Sequence, residues 1–201
     1  MRELGALRRP QVVLTLLTEA VGFGGLFAVY TYVASTIIDV TKAGDAAVPL
    51  VLAVFGVGMT AGNFAWAWLA DRALNKAAIL SFLWLAGSLA LFPLAAHNIW
   101  ALSGAILLIG FGGGLGTVMQ TRLMDVAGDA QALAAAAHHS AFNTANALGP
   151  WLGGLAITAG YGLTSTGWIG VALSLAGLAL FLLTLNLHGR EQARFEAAPA
   201  E

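Results

Sequence analysis

Apolar residues along the chain fall into six long runs divided by short polar junctions. The runs cover about residues 11–38, 47–70, 76–96, 99–122, 132–159 and 167–187. Each matches or exceeds the roughly 20 residues that carry an α-helix across a hydrocarbon layer of about 30 Å. The pattern predicts an all-α membrane protein. It has six transmembrane helices in one domain over residues 1–201, with a polar cytoplasmic tail from 188 to 201. Asp45, Asn75, Asn98, Asp129 and Ser165 or Thr166 stand just before apolar runs. Their side chains suit helix N-caps. Trp100 and Trp168 follow two of these junctions, and Trp66 and Trp68 lie near the end of the second run. Indole rings at such places fit a membrane interface. The first run is too long for a cleaved leader and is interrupted by Glu19, so it reads as an uncleaved first span.

Composition narrows the class. Of 201 residues, 59% are hydrophobic and 9% charged, against about 25% charged in an ordinary soluble domain. That excludes most soluble folds and also disorder, which needs low hydrophobicity and high net charge. A net charge of −1 offers no basic surface to nucleic acid. With no cysteine, disulfides, thiolate metal sites and cysteine nucleophiles are excluded. No metal site and no cofactor is expected. Basic residues give the orientation. With six spans, Arg2, Arg8, Arg9, Arg72, Lys76, Arg122, Arg190 and Arg194 fall on one side and Lys42 alone on the other. Cytoplasmic loops carry the excess of Lys and Arg, so both termini are expected in the cytoplasm.

Polar groups inside a bilayer are expensive and commonly face the bundle interior or a wet cavity. Glu19 lies about 12 Å into the first span at 1.5 Å per residue. Helical periodicity puts Thr15, Glu19, Gly22 and Tyr30 on one face. A carboxyl group there suits proton loading or a cationic substrate, or it bonds a neighbouring helix. The fifth run carries His139, Asn143, Asn146 and Pro150 at spacings of four, three and four. These fit cavity hydrogen bonding, or packing between helices. Pro150 removes one backbone hydrogen bond and favours a kink. Among 25 glycines, Gly58 with Gly62, Gly110 with Gly114, Gly112 with Gly116 and Gly149 with Gly153 have the spacing of close helix packing. The run Gly110 to Gly114 lacks a phosphate-loop pattern. His138-His139-Ser140 raises an intramembrane hydrolase, but neighbours on one helix point about 100° apart and supply no nucleophile–base geometry. The two histidines lack the spacing of a zinc helix.

Segments in order then resemble a known family. Residues 62–72, Gly62-Asn63-Phe64-Ala65-Trp66-Ala67-Trp68-Leu69-Ala70-Asp71-Arg72, are similar to the degenerate loop motif in the second half of major facilitator superfamily transporters. Gln120-Thr121-Arg122-Leu123-Met124-Asp125-Val126-Ala127-Gly128 is similar to the cytoplasmic end of the tenth helix in the drug and sugar efflux branch. Ala141 to Gly154 resembles the eleventh helix of arabinose-efflux-like members, and Leu26 to Tyr32 their seventh. Trp66 and Ala67 stand where relatives often have glycine, which is expected to alter the contact between the second and fifth spans. Pro150 is not the commonest residue at its place. The resemblance covers the second half only of a fold built from two six-helix halves.

The resemblance implies a secondary, proton-coupled efflux transporter for small molecules such as drugs or sugars, not an enzyme. It implies a bacterial inner membrane as the setting. Within that reading the polar residues inside the spans make Glu19 the proton-coupling candidate and Tyr30, Gln120, His139, Asn143 and Asn146 the substrate-cavity candidates. Asn63, Asp71, Arg72, Arg122, Asp125 and Pro150 are implied as gating or structural. Expected partners are the lipid bilayer, a small-molecule substrate, and either a second copy of the chain or a separate N-terminal half. A lone unit is expected to turn Glu19, His139, Asn143 and Asn146 toward lipid or an incomplete cleft. The alternatives are a truncated, non-transporting membrane remnant and, third, the six-helix hydrolase.

Overall fold

A computed structural model of the protein describes residues 9–128 and 130–196, with side chains to residue 187. Asp129, Arg2, Arg8, Arg190, Arg194 and the last residues of the tail lie outside the described side chains. The described residues form α-helices with two short π-helical stretches, and no strand occurs among them. The helices are α1 (Pro10–Gly22), α2 (Gly24–Tyr30), α3 (Val33–Ser35), α4 (Ala47–Ala95), α5 (Ile99–Gly112), α6 (Leu115–Ala127), α7 (Gln131–Ala156) and α8 (Ser165–Glu196). Four stretches are long and apolar enough to cross a membrane: Pro10–Val40, Ala47–Ala95, Ile99–Ala127 and Ser165–Leu187. Large apolar side chains lie bare on the outside, Leu50, Phe64, Leu94 and Trp100 all more than two-thirds exposed. A water-soluble monomer rarely presents such a surface.

The second and third apolar runs follow one another without a loop over the 49 residues of α4. Straight, it would hold Trp66 and Trp84, 18 positions apart, about 27 Å from each other. Their ring centroids are 6.4 Å apart. The chain therefore doubles back, at Ala73, whose φ of −158° and ψ of 72° leave the helical region. Two arms, 47–72 and 74–95, meet at an elbow with no intervening loop. The Phe111 ring lies against both indoles, at 5.8 and 5.0 Å.

Caps were expected at five junctions, and one described junction makes the bond. Asn98 Oδ1 accepts from the amides of Trp100 and Ala101 at 2.9 and 3.1 Å. Ala46 stands at the α4 cap position with no side-chain bond, and Asn75 lies inside the helix. The break falls at Ala73, so Asn75 lies in the first turn of the second arm and not at its cap position. Ser165 Oγ instead donates backwards to Gly162 O at 2.6 Å.

The first and fourth runs are broken rods. Residues 10–40 are interrupted at Phe23 and again near Tyr32. Residues 99–127 are interrupted at Gly113 and Gly114. Glycine costs a helix about 1 kcal/mol against alanine, and here the absent side chain admits a neighbouring backbone. A Cβ on Gly149 would strike Gly24 O, one on Gly58 would strike Leu107 O, and one on Gly110 would strike Phe55 O. The four-residue glycine spacings thus mark seams between α4 and α5 and between α2 and α7. The break near Gly113 loosens local backbone bonding, and Trp66 Nε1 donates to Phe111 O at 3.0 Å beside it. Trp66 is only 7% exposed. It is buried between the first arm of α4 and α5, so its indole packs on the fourth span.

Contacts along α1, α2 and α7 rise in register. Val12 clusters with Ala134, Glu19 meets His138, and Gly24 lies against Ala145 and Gly149. Positions climb together, so the two rods run parallel. Helix α8 runs antiparallel to them, with Gly177 on Gly22 and Gly170 on Gly25. Ser174 Oγ donates to Phe82 O at 3.1 Å, tying α8 to the second arm of α4.

Candidate functional site

Parallel packing of α1–α2 with α7 stacks side chains in tiers. Phe23 lies one helical turn beyond Glu19, and its amide donates to Glu19 O at 2.9 Å. Phe142 lies one turn beyond His138 on α7. The two lower residues meet, with His138 Nδ1 2.7 Å from Glu19 Oε1. The two upper rings meet as well, centroids 5.2 Å apart. Above them Phe27 approaches Phe142 edge-on at 5.1 Å.

The upper tier forms the floor of a hollow of about 190 Å³, walled by Phe23, Phe27, Tyr30, Phe55, Met59 and Phe142, with Leu26 beside them. Tyr30 is 40% exposed and its ring lies 4.7 Å from that of Phe55. Complete ligand pockets span about 300–1,000 Å³, so this hollow has the size of one wall of a site. His139, Asn143 and Asn146 are exposed on α7. None of the three lines the hollow; His139 and Asn146 lie one turn to either side of Phe142 on α7, so the stripe runs along the face next to it.

Glu19 departs from its expected setting. It was expected to open on a cleft with Thr15, Gly22 and Tyr30. Thr15 and Gly22 are buried with it and Tyr30 is not, because the rod breaks at Phe23. Glu19 itself is 0% exposed, because α7 closes on it through His138. It faces neither lipid nor an incomplete cleft. The remaining polar groups around it are local: Thr15 Oγ1 donates to Gln11 O at 2.7 Å, and Thr18 is fully buried. Among the described residues, neither Glu19 oxygen, His138 Nδ1 nor Thr18 Oγ1 has an aligned hydrogen-bond partner.

His138 is the residue that sequence reasoning passed over. Its neighbours on the buried face of α7 are Ala134, Ala141, Ala145, Gly149 and Gly153. One histidine in a seam of otherwise small residues calls for a polar partner on the facing helix. That spacing was readable. Ser140 Oγ donates to Ala136 O at 3.2 Å and lines a separate, apolar groove between α1 and α7.

The other candidates are scattered. Asn63 Oδ1 accepts from Thr117 Oγ1 at 3.1 Å, joining α4 to α6. Gln120 is half-buried on α6. Tyr32 Oη donates to Pro150 O at 2.9 Å. Asp71 and Arg72 are exposed at the elbow. The Arg72 guanidinium lies 3.8 Å from the centre of the Trp68 ring and donates to Trp68 O at 2.9 Å. Arg122 is buried, and its Nη1 lies 3.5 Å from Asp125 Oδ2.

Known proteins match nearly the whole chain. Inner membrane transport protein YdhP of Escherichia coli K12 is 35% identical over 188 residues, which is 92% of this chain and 47% of that protein. A probable sugar efflux transporter of Haemophilus influenzae is 30% identical over 88% of this chain and 45% of its own length. A chloramphenicol resistance protein of Streptomyces lividans is 30% identical over 99% and 50%. The chain spans about half the length of the curated relatives it matches. The family model of the Major Facilitator Superfamily matches residues 12–200. With its apolar helices, glycine seams and near-complete match to transporters, this membrane protein belongs to the Major Facilitator Superfamily.

Proposed function

We propose that the chain works as one six-helix half of a proton-coupled secondary efflux transporter. The two arms of α4 supply two crossings, and α7, with 26 residues, is about 39 Å long at 1.5 Å per residue. Its polar stripe lowers its apolarity without shortening it. Added to the three other stretches, this makes six spans. Eight basic residues against one then set both termini in the cytoplasm, and the relative in Escherichia coli suggests an inner membrane.

The observation that carries the reading is the aromatic hollow beside the exposed stripe of α7. A second six-helix unit, a parallel second copy or a separate first half, completes the cavity over that face. Tyr30, His139, Asn143 and Asn146 then contact substrate, with Gln120 near by. Asn63, Asp71, Arg72, Arg122, Asp125 and Pro150 hold or gate the helix ends. The walls are mainly Phe, Tyr and Met, which suits an aromatic, drug-like molecule better than a sugar. Glu19 couples transport to protons from behind the hollow.

Reconstitution tests this. The chain in vesicles bearing a pH gradient is expected to drive radiolabelled chloramphenicol across the membrane. Glu19→Gln should abolish the gradient-driven flux and preserve exchange. Absence of any flux from well-folded protein, with and without a co-reconstituted first half, would favour a non-transporting remnant.

A further inference from the structure

Resting on that reading, we infer that Glu19 and His138 form a single proton-binding site, with the Phe23–Phe142 ring pair as its door to the hollow. The two atoms that hold the proton are Glu19 Oε1 and His138 Nδ1, 2.7 Å apart, on side chains 0% and 9% exposed. That separation is a hydrogen-bond distance, although the two groups are not aligned as a hydrogen bond in this geometry. With carboxylate and neutral imidazole the pair carries −1. One proton taken from water brings it to zero, and a second to +1. A buried site disfavours the charged forms, so proton release requires water or a cation to reach it.

Few other charges face the pair. On α7, the exposed His139 ring lies 5.4 Å from that of His138. On α6, Arg122 is engaged with Asp125 at 3.5 Å. On α8, residues 165–187 hold no titratable side chain, and on the second arm of α4 residues 77–95 hold none. Helix α1 adds only uncharged Gln11, Thr15 and Thr18 beside Glu19. Two groups this close release their protons in steps that belong to the pair and not to either residue alone.

The door follows from the tiers. Phe23 and Phe142 lie one turn beyond the pair, wall the hollow, and touch at 5.2 Å. Parting these rings connects the pair to the hollow, which is where substrate is proposed to bind. Proton and substrate then reach the same space through one movement of α1–α2 against α7.

Infrared titration of the full chain in lipid vesicles tests the site without substrate or transport, so a failed transport assay and a failed proton site are told apart. The carboxylic-acid band that Glu19→Gln removes should titrate in the unsubstituted protein. The ¹⁵N resonances of His138 should change with the same midpoint. His138→Gln should move the midpoint of the carboxyl band by about one pH unit, a tenfold change in proton affinity. Phe142→Ala should speed hydrogen–deuterium exchange of the carboxyl group about tenfold, as loss of one aromatic pair allows. A carboxyl band and a His138 resonance that titrate independently in the unsubstituted protein would overturn the shared site. So would a midpoint unmoved by His138→Gln. Unchanged exchange in Phe142→Ala would overturn the door.

Discussion

The two faces of α7 carry similar polar chemistry and meet opposite fates. One face, Ala134, His138, Ala141, Ala145, Gly149 and Gly153, is sealed against neighbouring helices. The other bears His139, Asn143 and Asn146 in the open. Adjacent histidines differ in setting because 100° of helix rotation separates them. The sealed face packs within this chain: His138 lies against Glu19, Gly149 against the backbone of Gly24, and Gly153 against Tyr32 and Thr166. The open face has polar side chains and, through Phe142, part of a hollow too small to enclose a ligand. Packing explains the first face. The second finds no such packing among the described residues, and the cavity and closing unit proposed above are what would cover it.

Substitutions should separate the faces by size of effect. Gly149→Leu drives a side chain into Gly24 O on the sealed face and should cost about 3 kcal/mol, the upper end for overpacking. Reversible unfolding in mixed micelles would read it, and a loss below 1 kcal/mol would break the seam. His138→Ala leaves the Glu19 carboxyl group buried without its neighbour and should cost about 2 kcal/mol. Replacing both with leucine should recover much of that, since apolar pairs often substitute for buried charged ones. Asn146→Ala on the open face should change stability by less than about 0.5 kcal/mol while weakening transport. Equal destabilisation by His138→Ala and Asn146→Ala would erase the contrast.

Much of the fold was legible because its signals are local. Apolar run length marked the helices, glycine spacing marked the seams, and Asn98 marked a cap. The elbow at Ala73 falls in the junction read between residues 70 and 76. What was not legible is that the chain turns there without a loop: no glycine or proline stands at that position, and Trp66, Trp84 and Phe111, which pack across the bend, are far apart in sequence. The breaks at Phe23 and near Tyr32 also depend on partners, through Gly22 on Gly177 and Tyr32 on Pro150. Of the site, Glu19 was conspicuous as a lone carboxyl group in an apolar run. Its direction was not, because a face computed for one unbroken helix fails once the rod breaks after Gly22. His138 was hidden for a different reason. It was read with its sequence neighbours His139 and Ser140, whereas its physical neighbours on α7 lie three and four residues away.

Because the chain has no cysteine of its own, one labelling experiment addresses the open face directly. Ala145→Cys and Asn146→Cys differ by one position, one fully buried and one exposed. In vesicles, a water-soluble maleimide should label Asn146→Cys readily and Ala145→Cys hardly at all. A face bathed in lipid would be as unreactive as a packed one. If Asn146→Cys reacts no faster than Ala145→Cys, the stripe does not line a wet cavity and the transport reading of this face is wrong.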